Sequence, residues 1–213
     1  AVASHRADLV VLDPLDYLAI RESVDLEPVL VASKDRETVY EMVLLVHRDS
    51  KIEGIEQLSG NLVLIQGSYH RSVAHMWLDL LLGEGAVEVK DVDRASQAIL
   101  PVFFQQVEAC VVPRDAFETM VELNPQLGAT LEVITSSPRF CRAVICMRTN
   151  LLDNYRGLLQ ESLLQLHTEP RGRQILTLFR IDQLEPFAAA DLATLAGLQA
   201  SLRDHRMLLR GTR

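Results

Sequence analysis

The chain has 213 residues, 48% of them hydrophobic and 23% charged, a composition that builds a folded core and excludes a disordered chain. A net charge of −8 disfavours nucleic acid as a partner, while a small anion in a local cationic pocket stays compatible with it. No run reaches the roughly 18 apolar residues of a membrane-spanning helix, and Cys110, Cys141 and Cys146 have neither CxxC nor zinc spacing; they read as buried thiols, with one disulfide among them left open.

The first predicted strand is Leu9 to Leu12, halted by Asp13-Pro14, after which a helical pattern begins. Strands follow at Glu27 to Ser33 and, as one long run, at Thr38 to Ser50. A helical turn is expected around Ile55 to Leu58, then a strand from Leu62 that stops at Gly67. Val73, Met76, Trp77, Leu80 and Leu81 fall on one face of a helix. A short strand in GAVEVKDV precedes a helical face at Ala95, Ala98, Ile99, Val102 and Phe103, with Pro101 inside it. EACVV reads as a buried strand, with Pro113 at the first position of the next helix. ATLEVIT and CRAVICMR are further strands. Beyond Arg148 the pattern is helical, with Asn150 as a candidate cap. The alternation of strands and helices predicts an α/β protein with mostly parallel sheets and a helical tail. With no linker present, a second lobe has to be inserted through strands; Val43 to His47 and Ala143 to Met147 are the candidates.

The stretch from Gly67 to Ser72, between a strand and a helix, carries most of the candidate chemistry. Ligands of open α/β sheets gather beyond the carboxyl ends of strands, where helix N-termini offer free N–H groups and a positive dipole end. Ser68 and Ser72 add hydroxyls, and Arg71 adds a planar fork suited to carboxylate or phosphate, with Tyr69 and His70 between them. The alternative is that Ser72 simply caps the helix and the rest is a solvated turn. The stretch is neither a P-loop nor a dinucleotide fingerprint, and the chain holds no GxSxG or HExxH. His75 reads as structural. Asp13 and Tyr17 form a second candidate group, a carboxylate and a ring at the end of a strand, or else a helix cap and a packed side chain. Glu108, before a buried strand, is a third candidate, suited to a ligand ammonium or merely solvated.

In order along the chain, RADLVVLDPLDYL, YEMVLLVHRDSKIEGIEQLSGNLVLIQGS, AILPVFFQQVEACVVPRDAFETM and RGRQILTLFRIDQLEPF resemble the phosphonate/phosphate-type periplasmic solute-binding family of ABC importers. Arg6-Ala7-Asp8 resembles that family's G-x-aDv, and Asp13-Pro14 with Tyr17 its Gly-Pro-x-x-Tyr turn. Asp49-Ser50 with Leu58-Ser59-Gly60-Asn61 resembles its dS-x-i-x-x-l-x-dLkGk segment, Glu108-Ala109 its DA, and Gly172 to Leu176 its G-x-x-iL. The departures are that Ser68 to Ser72 stand where the family has Ser-Thr-Ser-Gly, that the glycine before DA is replaced around Gln105, and that its Asp is Glu108. A carboxylate or another oxyanion therefore fits Arg71 at least as well as phosphonate. The family also carries a first βαβ segment ahead of G-x-aDv, so the resemblance implies an N-terminally truncated first lobe whose unpaired sheet edge invites self-association.

The resemblance implies a two-lobed α/β type 2 periplasmic-binding fold, with lobe one at residues 1–43 plus 147–213 and lobe two at 44–146. Ligand is expected between the lobes, held by Ser68, Ser72 and backbone N–H groups, neutralised by Arg71 or His70, walled by Tyr17 and Tyr69, with Asp13 and Glu108 nearby. The expected function is the periplasmic or otherwise extracytoplasmic component of an ABC importer. It binds a small anion and works with a membrane permease, with no catalytic residue, cofactor, metal or nucleic acid. The rival expectations are a ligand-sensing domain of a signalling receptor, a degenerate non-binding member, and an enzyme on the same fold, the last opposed by the lack of a nucleophile–base pair.

Overall fold

The structure is a computed structural model that describes residues 7–67 and 71–211, the side chains of 154 and 203–211 excepted. In chain order the elements are β1 (Leu9–Leu12), α1 (Pro14–Ile20), β2 (Leu26–Ser33), β3 (Val39–Tyr40), β4 (Met42–His47), β5 (Leu62–Gln66), α2 (Arg71–Leu82) and β6 (Glu88–Val92). They continue as α3 (Ala95–Phe103), β7 (Ala109–Pro113), α4 (Arg114–Leu123), α5 (Pro125–Thr130), β8 (Leu131–Ser136), β9 (Phe140–Cys141) and β10 (Val144–Arg148). The last are α6 (Asp153–Leu164), α7 (Pro170–Leu178), β11 (Gln183–Pro186) and α8 (Ala193–Gly211). Short 3₁₀ turns fill the gaps, among them the expected one at Ile55–Leu58.

Local chemistry explains most boundaries. Asp13 Oδ1 accepts from Leu15 N at 2.8 Å while Pro14 takes the first helical position of α1, so both cap signals act together. The run expected as one strand from Thr38 to Ser50 breaks at Glu41 into β3 and β4 and ends in a 3₁₀ turn. The expected cap at Asn150 is also corrected. α6 starts three residues later, with Leu152 in the cap position, because Thr149 and Asn150 form a turn in which Leu151 N donates to Arg148 O.

The residues group into two compact units, Ala1–Val39 with Phe140–Leu198, and Tyr40–Arg139 with Gln199–Arg213. The first is built on a four-stranded sheet in the order β1-β10-β2-β11, in which every pairing is antiparallel. Pro28 lies in central strand β2 opposite Cys146, where the β10 register slips between Ile145 and Cys146. Proline has no N–H for the ladder, and a bulge is how a central strand accommodates it. Leu30, Ala32, Ile145, Leu176 and Leu184 form the core on this sheet.

The second unit holds a five-stranded sheet in the order β6-β5-β7-β4-β8. β5 is parallel to both β6 and β7, whereas β4 runs antiparallel to β7 and β8. The expectation of mostly parallel sheets thus holds only for β5, β6 and β7, which helices α2 and α3 connect. Elsewhere long connections return the strands in the opposite sense, and a fully apolar strand carries no record of its direction. Alternation sends Leu64, Cys110, Val112 and Val43 to the face covered by Ile99 of α3 and Phe117 of α4. Val63 and Ile65, fully buried, are left for the opposite face, where α2 packs on β5 and buries Val73, Met76 and Trp77.

Candidate functional site

From β5 the chain turns through α2 to β6 on one side, and from β6 through α3 to β7 on the other. The carboxyl ends of β5 and β7 therefore flank a topological switch point, the place where open α/β sheets form a crevice for ligands. The loop that leaves β5 opens there. Gly67 N donates to Val92 O at 2.9 Å, extending the parallel ladder by one bond. Ser68, Tyr69 and His70 lie outside the described residues. Arg71 and Ser72 both lie within α2, so Ser72 is an exposed helical residue and not the helix cap.

Arg71 and His75, one helical turn apart, reach the same carboxylate. Arg71 Nε lies 3.3 Å from Asp91 Oδ2, and His75 Nε2 donates to Asp91 Oδ1 at 2.8 Å. The register pairs Asp91 of β6 with Ile65, which puts it on the α2 face of the sheet. Gly67 makes room for this cluster, since a Cβ there would stand 3.2 Å from both Arg71 Nε and Asp91 Oδ1. Asp91 escaped the sequence reading. Its signal is alternation within Glu88–Val92, where a carboxylate falls on the helix-covered face of an edge strand. Gln66, the last residue of β5, is only 6% exposed, and its Oε1 has no hydrogen-bond partner.

Glu108 is exposed and precedes β7 at its amino end. Because β7 runs parallel to β5, that end is about 15 Å from the loop after β5, at roughly 3.3 Å per residue. Glu108 and Arg71 therefore belong to opposite ends of the sheet.

In the first unit, Asp13 and Tyr17 share α1, and Tyr17 N donates to Asp13 O at 2.9 Å. Burial pushes the Asp13 carboxyl up to about 6, against the lowering effect of the Leu15 N–H bond, with Asp16 adding to the rise. Its Oδ2 is buried without a partner. Tyr17 is 9% exposed and lines a cavity of about 360 Å³ with Leu18, Arg21, Glu27, Phe187 and Leu192. Burial, then Cys146, raise its phenol above the usual range. Glu27 is paired with Arg156. The cysteines are free and buried, without a disulfide. Among the described residues, no cluster of His, Cys, Asp or Glu is arranged to hold a metal ion, and no helix is long and apolar enough to cross a membrane.

A family model described as "ABC transporter, phosphonate, periplasmic substrate-binding protein" matches residues 1–192. A search of curated proteins found no match in sequence. Among solved structures, XAC2383 from Xanthomonas citri bound to ATP is similar with a TM-score of 0.74 and 17% identity, over 96% of this chain and 81% of that one. PhnD1 from Prochlorococcus marinus in complex with methylphosphonate gives 0.66 and 15%, over 95% and 80%. A binding protein component of an ABC phosphonate transporter from Pseudomonas aeruginosa gives 0.66 and 14%, over 93% and 69%. At these identities the structural likeness establishes the fold.

Proposed function

Because the chain belongs to the periplasmic substrate-binding family of phosphonate-type ABC transporters, we propose that it is the extracytoplasmic receptor of an importer and that its cargo is a small oxyanion. Members of this family bind and hand over substrates; they are not enzymes, and this chain has their α/β type 2 periplasmic-binding fold. The observation that carries the oxyanion reading is the placement of Gly67 and Arg71 at the carboxyl end of β5. β5 ends at the switch point of a parallel strand pair, and the described part of α2 starts with Arg71. Free N–H groups and a guanidinium at one point suit a carboxylate, phosphonate or phosphate head. Ser68 and Ser72 supply hydroxyl donors, His70 adds an imidazole, and Tyr69 an aromatic wall. In the first unit, Asp13 and Tyr17 are the residues proposed to meet the ligand, and a permease is the proposed membrane partner.

Isothermal titration against phosphate, methylphosphonate, sulfate and small carboxylates tests this reading. At least one oxyanion is expected to bind, and Arg71→Ala with Ser72→Ala is expected to weaken it tenfold or more. Binding that the double variant leaves unchanged removes the site from the α2 end, and failure of every oxyanion to bind sinks the reading.

A further inference from the structure

We infer that His47 is a protonation switch at the end of β4. The neutral ring caps the turn that follows through the main-chain N–H of Asp49, and the protonated ring gives up that bond for the Asp49 carboxylate. The inference is independent of the oxyanion reading. β4 is antiparallel to β7, so His47 stands with Glu108 at the amino end of β7, at the opposite end of the sheet from Gly67 and Arg71.

Contacts on both sides of the ring fix where its proton sits. Asp49 N donates to His47 Nδ1 at 3.0 Å, which caps the 3₁₀ turn Arg48–Ser50. A main-chain N–H can only donate, so Nδ1 of the neutral ring is bare and Nε2 carries the proton. Nε2 lies 3.4 Å from the Gln105 amide. A bare Nε2 there would leave the ring with no proton at all, so the amide turns its oxygen toward Nε2–H. The neutral ring thereby bridges two turns, each with a residue in the left-handed region, Lys51 at φ 61° and Gln105 at φ 54°. A second proton has one place to go, Nδ1, where it meets the Asp49 N–H. The Asp49 carboxylate is the alternative acceptor: Oδ2 is 3.9 Å from Nδ1, on a side chain that is 82% exposed and has room to turn. One residue thus offers a donor to the neutral ring and an acceptor to the protonated one. His47 is only 6% exposed, so water is a poor substitute for either partner. The neighbouring elements leave this exchange to Asp49. Glu108 precedes Ala109, the partner of Val46, and so comes opposite His47 in the β4–β7 register as a second, exposed carboxylate. Glu132 of β8 pairs with Val46, which puts it on the other face of the sheet, where it meets Arg48 at 3.3 Å. Helix α3 on the ring's face, and α5 ahead of its β8 partner Leu131, carry no charged side chain.

Nitrogen-15 NMR of the full chain, from about pH 8 to about pH 5, reads the switch. At the upper end the ring is expected as the Nε2–H tautomer, with the Asp49 amide protected from hydrogen exchange. As the ring titrates, the Asp49 amide signal is expected to move with the same midpoint and its protection to fall about tenfold or more. His47→Asn keeps an acceptor for the cap but does not titrate, so the Asp49 amide is expected to stay protected across the whole range. If that variant does not fold, Asp49→Ala serves instead. It keeps the N–H and removes the carboxylate, and is expected to retain the neutral state while losing the hydrogen-bonded Nδ1–H signal that the wild type shows in acid. A ring that carries its proton on Nδ1 at the upper pH overturns the inference. So does an Asp49 amide that ignores the ring's titration, or an acid Nδ1–H signal that Asp49→Ala leaves unchanged.

Discussion

Asp13 Oδ1 accepts a hydrogen bond from Leu15 N at 2.8 Å, while the other oxygen of the same carboxyl is buried with no partner. One half of the group caps α1 and the other half is held in a poor solvent for charge. Burial raises the folded-state pKa to about 6, above the unfolded value of 3.8. The folded state therefore binds the proton more tightly, and this group's contribution to stability falls as pH rises from about 4 to about 6, staying low above that. The full difference is worth up to about 3 kcal/mol. Asp13→Asn keeps an oxygen for the cap and removes the charge. It is expected to stabilise the protein by about 1–3 kcal/mol at neutral pH and to leave stability unchanged at about pH 4. Chemical denaturation across pH checks this; equal stability of variant and wild type at neutral pH would falsify it.

Two helical glycines are expected to respond in opposite directions to the same substitution. Gly172 of α7 is buried, and a Cβ there would collide with the backbone carbonyl of Leu166. Backbone cannot swing aside as a side chain can, so Gly172→Ala is expected to cost about 3 kcal/mol or more. Gly157 of α6 is exposed with nothing near its missing Cβ. There alanine relieves only the entropy of glycine, and Gly157→Ala is expected to gain about 0.5–1 kcal/mol. Paired thermal melts decide it. Similar effects at both sites would show that close packing at Gly172 is not what sets its cost.

The thiols are expected to be silent in the native protein. Burial pushes Cys141 up to about 12, with Asp191 and Asp13 adding to it, and burial alone does the same to Cys146. Cys110 is raised further and is fully buried. With thiolate scarce and access closed, a thiol reagent at about pH 8 should label none of them in an hour. After denaturation without reductant all three should react. Labelling of only one thiol in the denatured chain would reveal a disulfide and contradict the free cysteines.

Much of the fold is written in local patterns that one strand or helix carries alone. Val73, Met76 and Trp77 mark the buried face of α2 by spacing, and Asp13-Pro14 marks the start of α1 by cap chemistry. Strand direction is not written this way. Met42–His47 is buried at every position, and nothing in it distinguishes a parallel from an antiparallel neighbour. The site divides along the same line. Arg71 stands out because a guanidinium soon after a strand-ending glycine suits an anion. Asp91 becomes visible only when β6 is registered on β5 and α2 is laid across both. Alternation within Glu88–Val92 gives the face of Asp91, but its partner 20 residues away is set by register and packing.

Gln105 illustrates a departure that the backbone did not follow. The resemblance places a family glycine around this position, and Gln105 has φ 54°, in the left-handed region that glycine enters freely. It directly follows Phe104, the C-cap of α3, and its N–H donates to Val102 O at 3.0 Å, so the turn into β7 depends on that conformation. A non-glycine residue there costs roughly 1–2 kcal/mol. Part of that is recovered by the Gln105 amide, which lies 3.4 Å from His47 Nε2, a contact at the long end of hydrogen bonding. Gln105→Gly removes the strain and loses this weak contact, and is expected to stabilise the protein by about 0.5–1 kcal/mol. Gln105→Val, with a branched side chain in the same conformation, is expected to destabilise it by about 1 kcal/mol or more. Urea denaturation of the three proteins orders them as Gly, Gln, Val from most to least stable. An order with valine above glycine would mean that the turn is free to leave the left-handed region.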